Sequence, residues 1–322
     1  MVYIDYMLNL SALPRTQAHP PREYAEDVLE FFVRRKEAGQ DCALIMLTET
    51  RGGAVRAEGA MMAVCQSGQI AGYMSGGCVD ADIILQAHQA MKTGQARKLC
   101  YGQGSPFLDI QLPCGGQLNI VIWPDPPLTK IHACLRALKN RQSATLTLRE
   151  PQSETGDPIL YTAHHKPKLA LRLIGRGADP IALTQIAQAA GIPVDLWSTE
   201  PECLAAIEPG HDIQTQLLQS RGQLPPIEDD AQTAIILMMH DTDWEVPILQ
   251  QALSGKAFYI GAVGSQKTRA RRSAALKAAG VTDQNIQRIK GPVGLVPSLR
   301  QASFLAVSTL AEIISIYHKE CL

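Results

Sequence analysis

The chain has 322 residues, enough for two domains that each bury a core without metals or disulfides. Its 30 Lys and Arg answer 31 Asp and Glu, a net charge of −1, so no basic field draws it to nucleic acid or an anionic membrane. Residues 1–20 lack the charged start, apolar stretch and small-residue cleavage site of an export signal, and no segment stays apolar for the roughly 20 residues a spanning helix needs. The expectation is a cytoplasmic protein.

The first element is a helix over residues 21–36, with Tyr24, Val28, Phe31 and Phe32 at helical spacing among charges and a stop before Gly39. Short apolar or β-branched runs follow at 43–48, 59–65, 69–74 and 118–123, separated by glycine-rich turns, with a helix at 79–93. That pattern predicts a mixed α+β domain over 1–127, ended by the breaker Trp123-Pro124-Asp125-Pro126-Pro127. Residues 128–168 form a connecting segment that the pattern assigns to neither side: a helix and a strand over 128–148, then a polar, proline-containing linker over 149–168. From 169 onward, strands at 169–174, 194–197, 233–239 and 258–263 alternate with helices at 181–190, 246–253, 265–279 and 298–318. Apolar strands followed by helices predict a doubly wound parallel sheet, a Rossmann-like domain over 169–322. The long apolar pattern of the last helix, from Phe304 to Ile316, predicts a homodimer.

Eight cysteines stand at 42, 65, 78, 100, 114, 134, 203 and 321 with no Cys-x-x-Cys pair, which argues against a zinc knuckle. Cys42 and Cys65 lie in apolar runs and read as reduced core residues. Cys78 and Cys114 differ, because each adjoins two residues without side chains: Gly76-Gly77-Cys78 and Cys114-Gly115-Gly116. Tandem glycines let a ligand reach the main chain, and their N–H groups can hold an anion. Cys78 also precedes a predicted helix, whose dipole favours a thiolate there. A thiolate beside an anion-binding turn suits a soft metal or a sulfur atom, so Cys78 and Cys114 are the candidate soft-metal or sulfur contacts.

The second domain opens with Gly175-Arg176-Gly177-Ala178-Asp179-Pro180 between a strand and a helix, the place of a dinucleotide fingerprint. Pro180 replaces the third glycine, Asp179 is placed to cap the helix, and Ser198 stands where an acid for the ribose is expected. NAD(P) binding is therefore expected to be weak, with Gly175, Gly177, Gly264 and Ser265 as the nucleotide or phosphate candidates.

The series Thr50-Arg51-Gly52-Gly53-Ala54-Val55-Arg56, Gly72-Tyr73-Met74-Ser75-Gly76-Gly77-Cys78-Val79-Asp80, Tyr101-Gly102 and Leu112-Pro113-Cys114-Gly115-Gly116 resembles the signature of the XdhC/CoxI family. The likeness continues through His240-Asp241, the run from Phe258 to Ser265, and Gly291-Pro292-Val293-Gly294-Leu295. It implies an accessory protein that binds molybdopterin-type molybdenum cofactor, protects it while its terminal sulfur is installed, and delivers it to an apo molybdenum hydroxylase of the xanthine dehydrogenase type. A cysteine desulfurase would be a second partner. By position the resemblance sets Cys78, Cys114, Gly76, Gly77, Gly115, Gly116 and Arg56 at the cofactor, with Cys78 and Cys114 as the candidate molybdenum or sulfur contacts and Arg56 and the Gly-Gly turns near its anionic part. The rival readings are an NAD(P)-dependent oxidoreductase and a sulfur-transfer enzyme working through a cysteine persulfide.

Overall fold

The computed structural model describes residues 23–102, 112, 115–149, 160–208, 210, 212–226 and 229–321. The expected N-terminal sequence 1–20, Cys114 and residues 150–159 of the predicted linker therefore lie outside the described residues. The chain divides into two compact units, Met1–Pro167 and Lys168–Leu322.

In the first unit, helix α1 (Ala25–Glu37) precedes strands β1 (Cys42–Arg51), β2 (Met61–Cys65) and β3 (Ile70–Gly72). Helix α2 (Asp80–Thr93), β4 (Arg97–Gly102), β5 (Gln117–Trp123), α3 (Leu128–Lys139), β6 (Ala144–Arg149) and β7 (Leu160–His165) follow. The main sheet runs β3-β2-β1-β5-β4, and every neighbouring pair is antiparallel. β1 is central and buried on both faces, which explains its unbroken apolar start. Ala43, Ile45 and Leu47 face α2 with Ile83 and Ala87. Leu44 and Met46 face α1, α3 and the β6–β7 hairpin, with Phe32, Ile131 and Leu146. The segment 128–167, unassigned by sequence, thus closes the first unit's core. Burying a side chain the size of Leu or Phe here is worth about 1.5–3 kcal/mol each.

Two expectations change. β7 replaces part of the predicted linker. It pairs antiparallel with β6, setting Leu146 opposite Ala163, yet gives the core little beyond Ala163 and Tyr161, too thin an apolar signal to mark a strand. Cys42 and Cys65 are fully buried as expected, but they are joined in a disulfide, not reduced. They are opposite each other in the β1–β2 register, with α-carbons 4.0 Å apart; burial was readable from the runs, whereas pairing depends on register.

In the second unit, β8 (Ala170–Gly175), α4 (Ala178–Ala189), β9 (Val194–Ser198), α5 (Pro201–Ala205) and β10 (Ile213–Leu217) make one half. β11 (Thr233–Met238), α6 (Thr242–Ser254), β12 (Tyr259–Ala262), α7 (Gln266–Ala278), α8 (Asp283–Gln287), β13 (Ile289–Lys290) and α9 (Ala302–Glu320) make the other. The sheet runs β10-β9-β8-β11-β12-β13 and is parallel throughout. Counting β8 as the first strand, this is the 3-2-1-4-5-6 order of the dinucleotide-binding fold. α4 and α9 cover one face, with Leu183, Leu310 and Ile313; α6, α7 and α8 cover the other, with Ile248, Leu276 and Ile286. Among the described residues, no helix is long and apolar enough to cross a membrane.

His165 in β7 is 8 % exposed, and among the described residues its Nε2 has no hydrogen-bond partner. Burial, and then the neighbouring His164, lower its pKa from 6.5 to about 4. The unfolded chain therefore takes up a proton below pH 6.5 that the folded chain refuses, so the fold loses stability as pH falls from 6.5 toward 4. The group alone should remove on the order of 3 kcal/mol over that window. Urea unfolding at both pH values should show a shallower fall for His165→Gln; an equal fall in both proteins rejects the assignment.

Candidate functional site

Strand direction gathers the first unit's motifs. β3, β1 and β4 end where β2 and β5 begin, because neighbours alternate in direction across the sheet. The β1–β2 turn with Gly52 and Gly53, the β3–α2 turn with Cys78, and the β4–β5 connection with Gly115 and Gly116 therefore all leave from one edge of the sheet. These stretches lie far apart in sequence; antiparallel pairing places them together.

The Cys78 turn is held by its own side chains. Asp80 Oδ1 accepts from the N–H groups of Met74 (3.1 Å) and Ser75 (3.0 Å). Ser75 Oγ accepts from those of Gly77 (3.1 Å) and Val79 (3.2 Å). Among the described residues, the N–H groups of Gly76 and Cys78 have no partner. Cys78 is exposed two residues ahead of α2, at the end where a helix dipole favours negative charge. Among the described residues, a Cβ added to Gly76 or Gly77 would meet nothing within 4 Å. The turn thus presents a thiol and two N–H groups beside open space, which fits a soft centre with an anionic periphery.

Among the described residues Gly115 is exposed and equally open, while Gly116 is buried. A Cβ on Gly116 would stand 2.5 Å from the Gly53 carbonyl oxygen and 3.2 Å from that of Arg51. One on Gly102 would run into the Gly116 carbonyl oxygen. Gly116 is therefore a backbone joint between β5, β4 and the β1–β2 turn. Gln117, next in sequence, donates from Nε2 to Cys100 Sγ at 3.3 Å. Cys100 is a half-buried thiol that sequence reading left unassigned; its position in β4, a strand the sequence did not reveal, is what brings it near this edge.

Arg56 is committed within the fold. Nη1 pairs with Glu23 Oε2 at 3.1 Å, Nη2 donates to the Glu23 carbonyl at 2.6 Å, and the guanidinium lies 4.5 Å over the Tyr73 ring. Tyr73 in turn donates to Glu23 Oε2 at 2.7 Å. The side chain keeps 13 % exposure, and its charge is already answered by Glu23. It pins the β1–β2 turn to the entry of α1 and to the residue after β3.

In the second unit, Gly175 ends β8 and Gly177 lies between that strand and the next helix as expected, but α4 begins at Ala178 with Gly177 as its cap. Asp179 is therefore in the first turn and not the N-cap; the positive φ of Gly177, 74°, lets the helix start two residues earlier. The Gly177 N–H donates to Glu200 Oε2 at 3.1 Å. An acid thus does follow β9, two residues beyond Ser198, and it occupies an amide a pyrophosphate would need. Spacing alone could have found it, since it lies 23 residues after Gly177. Asp195 is no rival for that place: it pairs with Arg172 at 2.6 Å and accepts from Trp197 Nε1 at 2.9 Å.

Gly264 and Ser265 stand between β12 and α7, with Ser265 Oγ accepting from the Thr268 N–H at 3.2 Å. The buried pair Arg272–Glu245 (2.9 Å) anchors this connection, because Arg272 Nη2 also donates to the Val263 carbonyl at 2.8 Å. A cavity of about 330 Å³ opens here, bordered by Gly264, Ser265, Asp179 and His240. Gly175 and Gly177 do not border it. Among the described residues, no group of three or more His, Cys, Asp or Glu could hold a metal ion.

A Cys-Gly turn module joined to a Rossmann-type unit defines the class, and the comparisons agree. Residues 36–102 match the XdhC and CoxI family, and residues 171–313 match the XdhC Rossmann domain. The chain is 32 % identical over 304 residues to the molybdenum cofactor insertion chaperone PaoD of Escherichia coli K12, covering 91 % of this chain and 89 % of that protein. The chain belongs to the XdhC/CoxI family. Its fold is also that of a Bacillus halodurans protein whose crystal structure is described as a xanthine dehydrogenase, with a TM-score of 0.74, 19 % identity and coverage of 92 % and 96 %.

The glycine joint makes a differential expectation. Gly116→Ala should destabilise the first unit by about 1–3 kcal/mol, since backbone must move to admit the methyl group. Gly76→Ala should change stability by no more than about 0.5 kcal/mol. Equal melting temperatures for the two variants would refute the joint.

Proposed function

We propose that this protein is a molybdenum cofactor insertion chaperone that holds molybdopterin-type cofactor at the thiol edge of its first unit. It shields the cofactor while the terminal sulfur is installed and delivers it to an apo molybdenum hydroxylase of the xanthine dehydrogenase type, in the cytoplasm, with a cysteine desulfurase as the sulfur source. The observation that carries this reading is the exposed Cys78 beside the open Gly76 and Gly77, in a turn whose shape is fixed by Ser75 and Asp80. The relationship to PaoD supports the cargo. Molybdenum and its sulfur are partners for a thiolate, and a phosphate is a partner for the N–H groups of Gly76 and Cys78. Cys114 and Gly115 are the second proposed contact, with Gly116 as its joint. Arg56 enters as the residue that holds the wall of the site.

An NAD(P)-dependent oxidoreductase has less support, because Asp179 and Glu200 set two carboxylates at the glycine turn after β8. A persulfide enzyme requires a paired base for one thiol, and among the described residues Cys78 has no side-chain partner.

Cys78→Ala and Cys114→Ala should each reduce the molybdenum retained per chain by at least about tenfold, loss of a soft ligand that a methyl group cannot replace. Client activation should fall in parallel, with stability within about 0.5 kcal/mol of the parent. Metal analysis of protein from a molybdopterin-producing host, alongside thermal melts, reads all three. Parental molybdenum content in both variants would overturn the thiol site.

We also propose a homodimer through α9. Phe304, Val307 and Ile314 are 58 %, 55 % and 45 % exposed on one helix face. That face carries no charge over its length, so a second copy meets it without like-charge repulsion. Light scattering should give twice the chain mass, with Val307→Glu returning it to one; a monomeric parent sinks the proposal.

A further inference from the structure

The cavity in the second unit lies at the C-terminal edge of the parallel sheet, beyond β11, β12 and β13 and beside the first turn of α4. Its volume of about 330 Å³ falls at the small end of the range for small-molecule pockets, about 300–1,000 Å³. Val263, Val293, Leu299 and Leu305 give it apolar walls, and Asp179 and His240 are polar groups on its border.

The charged groups around the glycine turn are not equivalent. Arg176 pairs with Asp241 at 3.4 Å, Glu200 accepts from Gly177, and Ser265 caps α7. Among the described residues, the Asp179 carboxylate and the His240 ring have no partner. The cavity therefore offers a ligand an uncommitted carboxylate. A carboxylate accepts two parallel N–H donors from one planar edge, and it repels a phosphate brought to the same place. Apolar walls about such a carboxylate suit a flat ring that carries adjacent N–H groups.

We propose that this cavity binds the 2-amino-4-oxopyrimidine edge of a pterin ring, with Asp179 accepting from the ring's amino and N3–H groups and His240 contacting its periphery. The proposal rests on the cofactor reading above and extends it to a second place on the chain, a pterin-reading site separate from the thiol edge. Guanine presents the same donor edge, so the chemistry has two sources; the pterin is the occupant assigned here, because pterin is part of the proposed cargo.

The test uses the purified full chain and neopterin, whose own fluorescence reports binding, with GMP, AMP and NADPH as competitors. Neopterin should bind, and AMP and NADPH should not displace it. Asp179→Asn keeps the shape but loses the second acceptor and the charge, and should weaken neopterin by about tenfold or more. Leu305→Trp, which fills the cavity from α9, should abolish binding, and thermal melts should show both variants folded. Neopterin affinity unchanged in Asp179→Asn, or no neopterin binding by the parent, overturns the proposal. GMP binding that depends on Asp179 without neopterin binding reassigns the cavity to a guanine nucleotide and also overturns it. The two readings fail separately: parental molybdenum content in Cys78→Ala and Cys114→Ala counts against the thiol edge alone, and unchanged pterin affinity in Asp179→Asn counts against the cavity alone.

Discussion

A side chain on Gly116 would occupy the space of the Gly53 carbonyl oxygen, and one on Gly102 that of Gly116. Three segments of backbone, distant in sequence, lie in direct contact at the edge of the first unit's sheet, and only residues without side chains permit it. The joint fixes how β4, β5 and the β1–β2 turn leave the sheet. With the same edge also carrying the Cys78 turn, the sheet's pairing sets the relation among all the motifs. Arg56, Glu23 and Tyr73 do comparable work at the other end of this edge, tying the β1–β2 turn to α1 and β3.

The second unit uses a nucleotide-binding topology with altered electrostatics. Its strand order and its glycine turn are those of a dinucleotide fold, yet the amide of Gly177 already has a carboxylate and α4 carries another in its first turn. Backbone topology and local charge are separable properties. The first follows from the alternation of apolar strands and helices, and the second can change by a few residues without disturbing it.

That separation also explains what the sequence could reveal. Strands buried on both faces, such as β1 and β11, announce themselves as apolar runs, and so do the helices that cover them. β4, β7, β10 and β13 escape because they are short or bury few apolar side chains: β10 is Ile-Gln-Thr-Gln-Leu and β13 has two residues. The glycine-cysteine turns were legible as residues that ask for special backbone, but their common edge depends on strand order, which no local pattern contains. The Cys42–Cys65 bond, the partners of Arg56 and the reach of Glu200 to Gly177 depend likewise on long-range register. Asp179 illustrates the limit at close range: its proximity to the start of α4 is evident in the sequence, and the positive φ of Gly177 moves that start by two residues.

The bonds from Ser75 and Asp80 inside the Cys78 turn have a consequence for exchange. Four N–H groups of the turn are satisfied by the chain itself, so its shape does not depend on a ligand. Arrival of a ligand orders little backbone, and its departure exposes few groups that water would then have to satisfy. In the proposed role such a turn neither clasps nor refolds around a load, and the direction of transfer is set by the relative affinities of giver and receiver for that load.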